Sequence, residues 1–177
     1  MIEKEVKILD VDPLKVARKL GSLGAKKVFQ GELITVYYDF PGNALRKSGK
    51  VFRIKKKGAI AEICIKIKKP GKKLKVMEEY ETAVGDFETA EKIFTALNLK
   101  KTKEIRKKRT SYVLSGVHFE IDEIPGIPPF LEIEAGSWGD IRSFAAKLGL
   151  GHREMKAWSV VEVMSYYGKR QIGIKWV

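Results

Sequence analysis

The chain has 177 residues, 44% of them hydrophobic and 32% charged, which suits one globular domain or two small fused halves and excludes a disordered, collagen-like or disulfide-stapled chain. Lys and Arg number 35 against 22 Asp and Glu, a formal charge of +13, so an anionic partner is expected: nucleic acid, acidic lipid or a small polyphosphate. Cys64 is the only cysteine, and His118 and His152 the only histidines, which removes internal disulfides and every Cys/His zinc spacing. The N-terminus has no apolar leader, and no run approaches the roughly 18 apolar residues of a membrane span. The chain is read as soluble and cytoplasmic, with no membrane partner.

In chain order, a strand is expected near 2–9, and Asp12-Pro13 then opens a helix with Leu14, Val16, Ala17, Leu20 and Leu23 on one face. Alternation of period two predicts strands near 33–40, 50–57, 61–69 and 75–84, parted by turn clusters at Pro41-Gly42-Asn43, Lys47-Ser48-Gly49 and Pro70-Gly71. A second helix starts at about Asp86, with Phe87, Ala90, Ile93, Phe94 and Leu97 recurring at three and four. Strands near 103–114, 117–124 and 130–136 follow, then a third helix from about Asp140 through Leu148, and a further strand or short helix at 157–167. The helices finish alike, in Leu-Gly-Ala-Lys-Lys at 23–27, Leu-Asn-Leu-Lys-Lys at 97–101 and Leu-Gly-Leu-Gly-His at 148–152. That similarity suggests a single domain over 1–177 made of two pseudo-symmetric halves, about 1–84 and 85–170.

Side chains two apart on a strand share a face. Glu3, Glu5 and Lys7 line one row of the first strand and Val6 and Ile8 the other; Arg53 and Lys55 oppose Phe52 and Ile54, and Lys66 and Lys68 oppose Ile65 and Ile67. The sign then changes from strand to strand, through Glu79 and Glu81, Lys107 and Arg109, Glu120 and Asp122, and Glu132 and Glu134. Like charges on one face repel unless opposite charge compensates them. If the sheet closes with its charged rows inward, acids and bases face one another and the helices cover the apolar outside. Clustered carboxylates are the hard oxygen ligands that Mg²⁺ or Mn²⁺ prefers, and clustered Lys and Arg attract phosphate oxygens. A metal-chelated polyphosphate satisfies both; a structural ion-pair network is the alternative.

Glu3-Lys4-Glu5-Val6-Lys7 resembles the ExExK signature of the CYTH proteins, the triphosphate tunnel metalloenzymes. The later motifs come in the family's order: Phe52-Arg53-Ile54-Lys55, Ile65 to Pro70, Glu79-Tyr80-Glu81, Lys107-Lys108-Arg109, Ile121-Asp122-Glu123 and Phe130 to Glu134. The resemblance spans about 1–165 and implies an α+β fold, an eight-stranded antiparallel β tunnel with a charged interior and helices packed outside. It further implies divalent-metal ligation by Glu3, Glu5, Asp122, Glu132 and Glu134. Lys7, Arg53, Lys55, Lys68, Lys107 and Arg109 would hold triphosphate oxygens, with Lys156 as the basic residue near the C-terminus, and Lys7, Glu3 and Glu5 would form the catalytic group. Glu79 and Glu81 stand between a second metal site and structural ion pairing. Residues 166–177 match no motif of the family.

The expected activity is metal-dependent chemistry on a small-molecule triphosphate: ATP, thiamine triphosphate or tripolyphosphate. A ribose hydroxyl attacking the α-phosphorus makes a class IV adenylyl cyclase, a lyase; water attacking the terminal phosphorus makes a phosphohydrolase. A homodimer is compatible with either. The rival is a non-catalytic module binding nucleic acid or another polyanion through Lys55-Lys56-Lys57, 66–75 and 100–109. The acidic pairs, which would repel a phosphate backbone, and the lack of interleaved aromatics on the charged rows count against it. His118 is read as a surface residue and Cys64 as a small buried filler.

Overall fold

The alternating segments form strands because each can bury its apolar row under a helix while its charged row stays paired or wet. The computed structural model describes residues 4–68 and 77–170. In chain order they form β1 (Lys4–Ile8), α1 (Pro13–Ser22), β2 (Lys26–Asp39), α2 (Ala44–Lys47), β3 (Lys50–Lys57), β4 (Ile60–Lys68), β5 (Met77–Val84), α3 (Phe87–Ala96), β6 (Lys100–Leu114), β7 (Val117–Glu123), β8 (Phe130–Ala135), α4 (Trp138–Lys147) and α5 (Val160–Arg170). The fold class is α+β, with an eight-stranded antiparallel sheet in the order β1-β8-β7-β6-β2-β3-β4-β5. No helix among the described residues is long and apolar enough to cross a membrane.

The chain divides into two compact units, one of residues 31–108 and the other of 4–30 with 109–170; β2 and β6 run through both. In the first unit Val36, Tyr38, Ile54, Ala90, Phe94 and Leu99 form the core under α3, with the Phe94 ring edge-on to Tyr38 and Phe52. In the second, Val6, Ile8, Phe119, Ile121, Leu131 and Ile133 pack against Val16 and Leu20 of α1 and Ile141, Phe144 and Ala145 of α4.

Local chemistry starts and stops the helices. Asp12 accepts from the backbone N–H of Lys15 at 3.0 Å, Asp86 from Thr89 at 2.7 Å and Ser137 from Asp140 at 3.1 Å, each satisfying a donor that a helix start leaves open. α4 therefore begins at Trp138, ahead of the expected Asp140. At the other ends Gly24, Asn98 and Gly149 take φ of 84°, 64° and 76°. The next residue's N–H then reaches back five residues, from Ala25 to Leu20, Leu99 to Phe94 and Leu150 to Ala145. These paired closures explain the three similar sequence endings.

Two strand starts are corrected. β2 begins at Lys26 and β6 at Lys100, earlier than alternation indicates, because their first residues are mostly exposed and carry no apolar row. Residues 157–167 contain the start of helix α5, which Ser159 and Glu162 open as a capping box: the Ser159 N–H donates to Glu162 at 2.7 Å and the Glu162 N–H to Ser159 Oγ at 3.3 Å. A short helix, α2, fills the turn-rich stretch before β3, where Asp39 accepts from the N–H groups of Leu45 and Arg46.

Phe119 is fully buried and stacks edge-on with Phe144 at 5.4 Å, whereas Leu97 is 62% exposed. Phe119→Ala is expected to cost about 3–5 kcal/mol and Leu97→Ala less than about 0.5 kcal/mol, measured by urea unfolding.

Candidate active site

In the unit of 4–30 and 109–170, strand register lines up two cross-strand rows. Glu5 is opposite Glu134, which is opposite His118; Lys7 is opposite Glu132, which is opposite Glu120. Asp122 lies on the same face of β7 by alternation. Five carboxylates share this face, and two cations, Lys7 buried and Arg109 partly buried, hold them together. Lys7 Nζ lies 2.9 Å from Glu132 and pairs with Glu5. Burial alone would lower its pKa, but Glu132 and Glu5 reverse this and leave it raised. Arg109 donates from Nε and Nη2 to the two oxygens of Asp122 at 2.7 Å each, pairs with Glu120, and approaches Glu132 at 3.5 Å. Against burial, Asp122 and Glu132 raise the Arg109 pKa as well.

Oxygens of Glu5, Glu132 and Glu134 all lie within 4.8 Å of one another. Three converging hard oxygen donors fit a divalent ion of the Mg²⁺ or Mn²⁺ type and suit a soft metal poorly. Asp122 stands outside that trio, with both oxygens on Arg109. Glu3 lies outside the described residues. Lys156 reaches the same face through the backbone: an isolated antiparallel bridge joins it to Lys7, with N–H to O distances of 2.7 and 2.9 Å. Directly paired residues project to one side, so Lys156 extends the row of Lys7, Glu132 and Glu120.

In the unit of 31–108, the register places Tyr37, Arg53, Cys64 and Glu81 in one row and Thr35, Lys55 and Glu62 in the next. Lys66 opposes Glu79, and Lys68 opposes Met77 at the end of β4. Here the cations predominate. Lys55 pairs with Glu81 and lies 3.3 Å from Glu62; Glu79 takes Lys66 at 2.5 Å and Arg53 at 3.4 Å. Lys107 is buried in β6. Arg53 Nε is buried with no hydrogen-bond partner among the described residues, an arrangement that is costly unless an acceptor meets it.

The Cys64 thiol donates to Glu79 at 2.8 Å. Burial first, and then Glu79, push its pKa up to about 11. It stays a thiol at neutral pH, which bears out the reading as filler and leaves it a poor nucleophile. Cys64, Glu79 and Glu81 also converge within 4.8 Å, but with the thiol protonated the group offers fewer hard anionic donors than the three-carboxylate set.

Sequence reasoning left three partners out of the candidate site. Glu120 holds Arg109, and Glu62 and Lys66 hold Lys55 and Glu79. Their signal was their place on the charged rows. The Lys156 bridge had no periodic signal, because a single paired residue makes no pattern.

Burial pushes the Glu79 pKa up, but the Cys64 thiol, Lys66 and Arg53 outweigh it and hold the carboxyl at about 2, below its usual 4.5. A depressed carboxyl pKa stabilises the fold above the unfolded value and loses that contribution as pH falls through the folded one. The stability difference between the wild type and Glu79→Gln is therefore expected to be constant above about pH 5 and to shrink steadily from there to about pH 2, followed by unfolding at stepped pH.

The family model for the CYTH domain matches residues 1–146. A Methanocaldococcus jannaschii protein named "Putative adenylate cyclase" is 32% identical over 137 residues, 76% of this chain and 77% of that protein. The PH1012 protein of Pyrococcus horikoshii superposes with a TM-score of 0.75 at 28% identity, covering 91% of this chain and 98% of its own. HpAC1 from Hippeastrum, for which a dominant triphosphatase activity is stated, shares the fold with a TM-score of 0.66 at 16% identity, covering 94% of this chain and 96% of its own. The ordered motifs, the sheet that carries them and the match over most of the chain give one conclusion: this chain belongs to the CYTH family.

Proposed function

We propose that the chain is a divalent-metal-dependent enzyme that hydrolyses a linear triphosphate. The observation that carries this reading is the sorting of charge: a converging carboxylate trio on one unit and a cation-rich face on the other. Glu5, Glu132 and Glu134 hold Mg²⁺ or Mn²⁺, with Glu3 and Asp122 as the further ligands that the family resemblance implies. When bound, the ion offsets the negative charge that builds on the reacting phosphoryl group.

Lys7 keeps Glu5 and Glu132 together and compensates their mutual repulsion. By the family resemblance Arg53, Lys55, Lys68 and Lys107 bind phosphate oxygens, and the Arg53 Nε, without a hydrogen-bond partner among the described residues, is a ready donor. Arg109 and Lys156 complete the cation set. Water attacks the terminal phosphorus, the bond to the bridging oxygen breaks, and that oxygen leaves with the bonding electrons on the remaining diphosphate. Glu79 and Glu81 serve as ion-pair partners that keep Arg53, Lys55 and Lys66 apart.

Charged side chains share these rows with Thr35, Tyr37, Cys64 and Ala83 in one unit and with His118 and Phe130 in the other. The reading takes tripolyphosphate, which has no organic part, as its first substrate. Cyclisation of ATP to cyclic AMP and pyrophosphate is the second reading, favoured by the name of the Methanocaldococcus jannaschii relative.

Phosphorus NMR of the protein with Mg²⁺ or Mn²⁺ and tripolyphosphate, thiamine triphosphate or ATP tests both. Orthophosphate release is expected, with at least about hundredfold loss of metal-dependent turnover in Glu134→Ala and a raised KM in Arg53→Ala. Cyclic AMP with pyrophosphate would select the second reading. Intact substrates with no metal-dependent binding would leave a polyanion-binding module.

A further inference from the structure

Three cations project from the acid-rich face, and they are held very differently. Lys7 is buried between Glu5 and Glu132, and Arg109 is partly buried among Glu120, Asp122 and Glu132. Both are committed to carboxylates that surround them. Lys156 is partly exposed, and its ammonium lies 4.6 Å from the Trp158 ring and pairs with the carboxylate of Glu154. Glu154 is itself 73% exposed, and an ion pair with so open a partner is weak and readily exchanged.

Trp158 is the better anchored of the two neighbours. Its ring lies 5.2 Å from Tyr166 of α5, Tyr166 lies 5.1 Å from Tyr167, and the Tyr167 hydroxyl donates to Asp10 at 2.8 Å. The bridge to Lys7 fixes the Lys156 backbone on one side while this aromatic chain fixes the ring on the other. An ammonium over an indole face keeps N–H groups free to donate elsewhere.

We propose that Trp158 and Glu154 are positioning residues for Lys156: the indole holds the ammonium in place, and the Glu154 carboxylate occupies the position that a phosphate oxygen of a linear polyphosphate takes on binding. Lys156 is then a cation of this unit that engages the substrate by exchanging one oxygen partner for another. The inference rests on the reading of the charged faces as a triphosphate site and adds how one cation is kept available to it.

Two substitutions should act in opposite directions. Trp158→Leu is expected to weaken tripolyphosphate binding roughly two- to fivefold, with Trp158→Phe recovering part of the loss. Glu154→Gln, at an exposed position that tolerates change, is expected to tighten it by a similar factor, because the competing carboxylate is gone. Both effects should vanish when combined with Lys156→Met, which keeps the aliphatic stem and removes the charge. Isothermal titration with tripolyphosphate on the full chain, with and without Mg²⁺, reads all of these, and circular dichroism melts check folding.

Unchanged or weakened binding in Glu154→Gln, or equal effects with and without the Lys156 ammonium, would overturn the proposal while wild-type binding left the triphosphate reading intact. Absence of binding by the wild type would remove that reading, and the inference with it.

Discussion

The buried Lys7 ammonium, clamped between Glu5 and Glu132, is the interaction on which the acid-rich face depends. Cross-strand register forces Glu5 against Glu134 and Glu120 against Glu132, and like charges so placed destabilise a sheet unless something compensates. Lys7, buried, and Arg109, partly buried, are the compensation, and both are multiply paired. Removing one partner from such a network costs about 3–5 kcal/mol, a large share of a typical domain's stability. The same network leaves three oxygens pointing at one another. Electrostatic frustration that the cations relieve only in part favours a divalent ion.

The other unit solves the reverse problem. Arg53, Lys55 and Lys66 share a face, and Glu62, Glu79 and Glu81 separate them. Glu79 is held at a pKa of about 2 and Cys64 at about 11, so across the neutral range the row keeps a fixed pattern of charge with an inert thiol in its midst. In the proposed reading such a face would meet an anion with charges set before it arrives.

Much of this was legible in the sequence because strand alternation is strict where one face is buried. Val6 and Ile8 had to face α1 and α4, which sent Glu5 and Lys7 to the other side, and the same holds for Ile121 against Glu120 and Asp122. Where that constraint lapses, legibility lapses too. The first residues of β2 and β6 are exposed on both faces and read as loop. The partners of each charge were also hidden, since alternation gives the face and only register gives the neighbour. Asp122 illustrates this: its place on the acidic row is evident from sequence, but the grip of both its oxygens on Arg109 is a matter of three dimensions. The capping box at Ser159 and Glu162 was a readable sign that a helix starts there.

The most direct measurement is Mn²⁺ binding by electron paramagnetic resonance, with tripolyphosphate titrated in and with Glu5→Gln and Glu134→Gln as controls. If the carboxylate trio holds the ion, Mn²⁺ binds the wild type and both variants lose most of that affinity, with tripolyphosphate present or absent. Mn²⁺ binding that ignores both substitutions would contradict a metal site at these carboxylates.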